Sequence, residues 1–431
     1  MASSEHDHHE LTPPDDVEVG KNFYILGAAM TLIGALAFVG GLFGGMELRA
    51  WQGYLIGFWF TLSLSLCGPF FVATQYLSSA GWSASIRRVA EALGYFLVPA
   101  AILGLIGLLG AEELYHWLDP ETRETDYIIK KKLGFLNMTG MTFTTVIAFV
   151  GFIATFWWLR RNSVKQDETA DASLFERNKI ASVAFMVVFV LGFSFLTWYW
   201  LMSLSPHWFS TMFQVYTFAA LFQGGLALIT IMVLYLNDRG HFGDFVGVDQ
   251  IHTLGKLVFA FTVFYAYISF GQFLLIWYAN IPEEAIWFLD RIQQAGGWGW
   301  FIAMFSLKFI IPFLVLSPRD NKMNKYNVLR YTCYGLVFAL LFEIWWWVSF
   351  NEFHGELHIV APWLELLITV GFVGIFLIAV GRGLSSAHII PVNDPFLHES
   401  LPHHDHGELP DPDVQVEPVP QADDHKTERE D

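Results

Sequence analysis

Of the 431 residues, 54% are hydrophobic, 17% aromatic and only 15% charged, against about 25% charged in a soluble globular protein; a soluble fold is excluded and an all-α integral membrane protein is expected. The two cysteines, Cys67 and Cys333, sit in apolar runs, which excludes a disulfide framework, a CxxCH haem attachment and a cysteine set for zinc or an iron–sulfur cluster. The formal charge of −17 lies almost wholly on two tails: residues 1–22 hold six acids and one base, and residues 394–431 hold twelve acids and two bases. The membrane body is close to neutral, no nucleic-acid partner is expected, and the tails read as solvated.

The N-terminal segment 1–22 is acidic and has no basic n-region or cleavage site, so it is expected to be retained. His6, His8 and His9 at one end and His403, His404 and His406 at the other are candidate metal ligands, with a flexible polar tail as the plainer alternative. Residues 23–381 form the expected membrane domain, and 382–431 a second acidic tail.

Ten apolar segments are near the roughly 20 residues needed to span hydrocarbon. They run Phe23–Met46, Trp51–Leu77, Val89–Gly110, Leu133–Leu159, Lys179–Leu204, Phe209–Leu236, His252–Tyr278, Gly297–Leu316, Asn327–Phe350 and Pro362–Gly381. Pro69, Pro99 and Pro312 fall inside segments 2, 3 and 8, where a missing N–H and a ring clash are expected to kink the helix. Tryptophan and tyrosine gather at segment ends, as in Trp157–Trp158, Trp198–Tyr199–Trp200 and Trp345–Trp346–Trp347, the pattern of an interfacial belt. The side with both termini and the even-numbered connections holds fourteen lysines and arginines, the other side six; the positive-inside rule places both termini in the cytoplasm.

The chemistry-bearing residues at membrane depth are few. In the seventh segment His252 and Lys256 stand four apart on one helix face, about a turn inside the lipid boundary, where charge is costly and functional roles concentrate. On the same helix Gln272 falls about 200° away, so the segment is polar on two sides and belongs inside a bundle. Lys308 lies eleven residues from one end of segment 8 and eight from the other, roughly 12 to 16 Å deep at 1.5 Å per residue. Glu343 precedes the outer end of segment 9 by seven residues, and Glu365 is one turn into segment 10 from the same side. Glu91 follows Arg87 by four, the spacing of a helical ion pair.

Asp249, His252, Lys256 and Lys308 fall on the cytoplasmic half; His207, Gln272, Glu283, Glu284, Glu343 and Glu365 fall on the other. Two proton half-paths, or one quinone-head site with a proton outlet, account for that division, because quinol oxidation must release protons. Structural ion pairs between helices account for it equally. Apart from His252 the histidines fall in loops or tails, which argues against a bis-histidine haem. No nucleotide-binding glycine loop or Walker lysine is present.

Two strings, WYWLMSLSPHWFS at Trp198–Ser210 and HTLGKLVF through WYANIPEE at His252–Glu284, resemble the ActF family of membrane subunits of bacterial alternative complex III, as does PVNDPFLHES at Pro391–Ser400. The family pattern falls on Trp198, Trp200, Pro206, His207, Trp208, Phe209, His252, Gly255, Lys256, Gln272, Trp277, Tyr278, Asn280, Pro282 and Glu283. The resemblance implies two four-helix bundles plus peripheral helices in the bacterial cytoplasmic (inner) membrane. It implies a place in a respiratory electron-transport complex that oxidises quinol for cytochrome c or another periplasmic carrier, with proton translocation as a possible output. The implied partners are an NrfD-like ActC subunit, an iron–sulfur ActB subunit, haem c subunits and small membrane subunits, all within the lipid bilayer. Haem c and iron–sulfur clusters would reside on those partners; this chain would hold no redox centre, with quinone or quinol contact expected. In that family an acid often stands between the two tryptophans and another precedes Pro–His; here Tyr199 and Ser205 occupy those places, leaving Glu343, Glu365 or His207 as substitutes. A passive scaffold subunit of the same complex and a stand-alone secondary transporter remain the alternatives.

Overall fold

The computed structural model describes residues 14, 16–293, 297–350 and 362–401; the two tail histidine clusters lie outside them. Among the described residues ten helices are long and apolar enough to cross a membrane, and none forms a strand, so the chain is an all-α multi-pass membrane protein. The spans are α1 (Lys21–Phe43), α2 (Glu47–Leu77), α3 (Gly81–Leu114), α4 (Met138–Thr169), α5 (Ser173–Leu204), α6 (Phe213–Asp238), α7 (Val248–Ala279), α8 (Gly297–Leu316), α9 (Tyr326–Ser349) and α10 (Trp363–Leu384). All ten expected spans are present. The largest differences in extent are at α3, which starts eight residues earlier than Val89, and at α4, which continues ten residues past Leu159.

That extension of α4 follows from its polar inner face. Arg160, Asn162, Ser163 and Gln166 are buried against neighbouring elements rather than solvated, so the helix runs on until Ala170 adopts the left-handed conformation at φ 51°.

The spans pack as two consecutive four-helix bundles. In the first, α2 contacts α3, α3 contacts α4, α4 contacts α5 and α5 returns to α2; α6, α7, α8 and α9 close the second ring in the same way. α2 is apolar on every side and buried along nearly its whole length, because it is also the seam to α6 and α9. α1 and α10 pair outside the first bundle. Their contact depends on Gly34 and Gly371: a Cβ on Gly34 would lie 2.4 Å from the Gly371 Cα, so only glycine permits this approach.

Call the membrane face where α1 begins and α10 ends the basic end, and the opposite face the far end. Three buried arginines organise the basic end. Arg87 pairs with Asp394 at 2.6 Å; Arg88 pairs with Asp167 at 2.5 Å and donates to the carbonyls of His388 and Ser163; Arg160 pairs with Glu91 at 2.6 Å and donates to Ser386 Oγ. The expected Arg87–Glu91 pair is therefore not formed. A buried guanidinium needs acceptors on several sides, and α4 and the segment after α10 supply them better than the adjacent helical turn does. The same contacts correct the solvated reading of the C-terminal tail as far as Leu401. Asp394 and Ser400 are buried, Asn393 donates to the Asp167 carbonyl and Gln250 to that of Ser400, so residues 385–401 strap the basic end of both bundles.

Candidate functional site

The densest buried polar cluster at membrane depth lies inside the second bundle. Lys308 Nζ on α8 and Glu343 Oε2 on α9 are 2.8 Å apart, and both side chains are fully buried. Glu343 Oε1 accepts from the Tyr216 hydroxyl on α6 at 2.5 Å and the Tyr265 hydroxyl on α7 at 2.6 Å, so every helix of the bundle contributes one group. The Lys308 ammonium also sits 4.3 Å from the centre of the Tyr265 ring, a favourable cation–π position.

Local sequence explains how Lys308 reaches this place. Pro312 follows it by four residues and has no N–H to give to the Lys308 carbonyl. α8 answers with a π-helical turn over Ser306–Ile310, in which the Ile311 N–H donates to Ser306 O. The vacant Lys308 carbonyl accepts from Gln223 Nε2 of α6 at 2.7 Å, and the same amide donates to Thr262 Oγ1 of α7 at 3.0 Å. A buried carbonyl left without a donor would cost about 1–3 kcal/mol; Gln223 removes that cost and fixes the turn carrying Lys308.

Polar groups lead from the cluster toward the far end. A cavity of about 20 Å³ touches Tyr216, Tyr265, Ser269 and Gln272, enough for about one water molecule. Gln272 is buried, donates to Ser210 Oγ at 3.4 Å, and its amide oxygen has no hydrogen-bond partner among the described residues. Sequence expectation set Lys308 and Glu343 on opposite halves of the membrane; here they touch, and Gln272 stands on the Glu343 side.

The other candidates lie apart from this cluster. Lys256 and Asp249 are exposed and His252 is half-buried near the start of α7, six to thirteen residues before Thr262, or about 9–20 Å along the helix. Glu365 on α10 makes a two-point ion pair with Arg49 on α2, at 2.8 and 2.9 Å, which joins the peripheral helix to the first bundle. Glu283 is exposed in the first turn of a short helix, Pro282–Gln293. Its neighbours explain the WYANIPEE string locally: Asn280 ends α7 in the left-handed conformation at φ 47°, Pro282 opens the next helix, and the acids follow at its N-terminus.

At the far end the PHW string ties loops together. His207 Nε2 is 2.6 Å from Asp126 Oδ2, and Lys132 Nζ donates to Pro206 O at 2.6 Å. Burial pushes the Asp126 carboxyl up, but the Ile129 N–H and the His207 ring outweigh it and hold it below the usual carboxylate range. Burial holds the Lys132 ammonium below its usual range, with Asp126 acting in the opposite sense. Trp208 stacks on Trp287 at 5.0 Å and donates to Glu284 O; Trp198 donates to Gln214 and Trp200 to Thr145. Tyr199, between the two tryptophans, donates to Phe135 O, and Ser205 is buried. Trp277 and Tyr278 are exposed at the end of α7, as belt residues are.

Sequence reasoning named Lys308 and Glu343 and missed Tyr216, Tyr265, Gln223 and Arg49. The spacing of Pro312 from Lys308 was the available signal for a side-chain donor. The fold and site together define a ten-span membrane protein with a buried ion pair at the centre of its second bundle. No protein-family model matches this chain, and no curated protein matches it.

Proposed function

We propose that this chain is a membrane subunit of a quinol-oxidising respiratory complex of the alternative complex III type, and that Lys308 and Glu343 are the intramembrane station of its proton path. The observation that carries this is a fully buried lysine–carboxylate pair held by two tyrosine hydroxyls, with one water-sized cavity and Gln272 leading to the far end. Ionisable side chains inside a bundle at this depth are the usual components of proton relays. A carboxylate with a lysine on one side and phenols on the other exchanges a proton by small changes in hydrogen bonding, without moving backbone.

The resemblance of Trp198–Ser210, His252–Glu284 and Pro391–Ser400 to ActF supports the complex and its quinol substrate, with haem c and iron–sulfur clusters on partner subunits. It also supports the bacterial cytoplasmic membrane with the basic end inward, in line with fourteen basic residues against six. Gentle purification of a tagged chain tests membership: haem c absorbance and partner bands are expected. A clean single polypeptide without haem would leave the stand-alone transporter instead.

A scaffold role is the second reading, and one observation favours it. The basic end is fixed by three buried arginine pairs, as in a rigid platform.

A further inference from the structure

A cleft of about 410 Å³ opens between α1, α6 and α10 at the basic end. Its wall is apolar, formed by Phe23, Leu228, Met232, Phe376 and Val380. From Leu228 to Arg239 the wall follows α6 for eleven residues, about 16 Å, or about half the hydrocarbon thickness of a bilayer. The cleft therefore has the depth of one lipid leaflet. Its mouth lies where α1 begins and α6 and α10 end, which is headgroup level, and is lined by Glu18, Arg239 and His241.

The mouth has a built structure. Val17 is buried and its carbonyl accepts from Ser385 Oγ, so the segment leading into α1 is pinned to the end of α10 and holds Glu18 at the rim. The Arg239 guanidinium lies 4.9 Å from the centre of the Tyr235 ring and has no ion-pair partner among the described residues, whereas its neighbour Asp238 is taken by Arg330.

We propose that this cleft is a phospholipid site for a headgroup carrying both a phosphate and a primary ammonium, the phosphatidylethanolamine class. The chemistry at the mouth selects it. Arg239, assisted by His241, is placed for the phosphate, and Glu18 for the ammonium, while an acyl chain covers the wall of α6 and α10. Basic pockets between transmembrane helices bind lipid phosphates; a carboxylate on the same rim disfavours a purely anionic headgroup and gives an ammonium its acceptor. A free quinone, with no charge at its head, would leave Glu18 without a cationic partner.

Native mass spectrometry of the full-length chain, or of the complex that contains it, tests the site in detergent micelles doped separately with phosphatidylethanolamine or phosphatidylglycerol. One retained phosphatidylethanolamine per chain is expected, held on the order of tenfold more tightly than phosphatidylglycerol. Arg239→Gln, a surface substitution, and Val380→Trp, which fills the cleft, should each weaken retention on the order of tenfold, while the exposed control Arg177→Gln should not. Equal retention of the two lipids, no retained lipid, or retention indifferent to both Arg239→Gln and Val380→Trp would overturn the proposal.

Discussion

Lys308 and Glu343 form an ion pair although their spans place them at different depths, about 16 Å and about 10 Å from the far end by residue count. The lysine stem, released by the π turn before Pro312, crosses the difference and brings Nζ to 2.8 Å from the carboxylate. Removing one partner leaves a buried charge unpaired. Glu343→Gln or Lys308→Met should each cost about 3–5 kcal/mol of stability. Reversible unfolding in mild detergent reads this, and the double variant should cost less than the sum by at least about 1 kcal/mol. Strict additivity would mean that the pair is not energetically coupled.

Gln223 compensates for Pro312. Gln223→Leu should cost about 1–3 kcal/mol by leaving the Lys308 carbonyl without a donor. Adding Pro312→Ala supplies a backbone N–H to that carbonyl and should recover part of the loss. A double variant no more stable than Gln223→Leu alone would show that the amide works elsewhere.

The far-end loops should loosen in acid. The Asp126 carboxyl is held below its usual value because the Ile129 N–H and His207 outweigh burial. A depressed carboxyl contributes stability above its unfolded value, about 3.9, and loses it as pH falls through the folded value. Hydrogen-exchange protection of the Ile128 and Ile129 amides should therefore drop between pH about 4 and lower pH, and Asp126→Asn should flatten that dependence. Protection that stays level in the unsubstituted protein would remove Asp126 from this role.

The strap over the basic end predicts a different outcome. Asp394→Asn leaves Arg87 buried without its carboxylate, a change worth about 3–5 kcal/mol locally. Limited proteolysis should then cut within residues 385–401 much faster than in the parent chain, with the ten spans intact by circular dichroism. An unchanged cleavage rate would show that Arg88 and Arg160 suffice to hold it.

Much of the architecture was legible because hydrophobic length is a property of each segment alone. All ten spans could be read that way. Which charges meet could not. Arg87 and Glu91 have helical spacing, yet each chose a partner on a distant segment, Asp394 and Arg160. His252 and Lys256 stand on one face of α7, but His252 is half-buried and Lys256 exposed, and neither reaches the buried cluster. Arg49, one of the six basic residues on the far side, lies on α2 and is the partner of Glu365. Tyr216 and Tyr265 carry no periodic signal, since a buried phenol is recognised only by the carboxylate that packing brings to it.

The most direct test of the central claim is the rate of quinol oxidation and of the proton release that accompanies it, measured in sealed vesicles containing the intact complex. With Glu343→Gln or Lys308→Met, haem content should be preserved and both rates should fall by about a hundredfold or more. Wild-type turnover and wild-type coupling in both variants would contradict a proton path through Lys308 and Glu343.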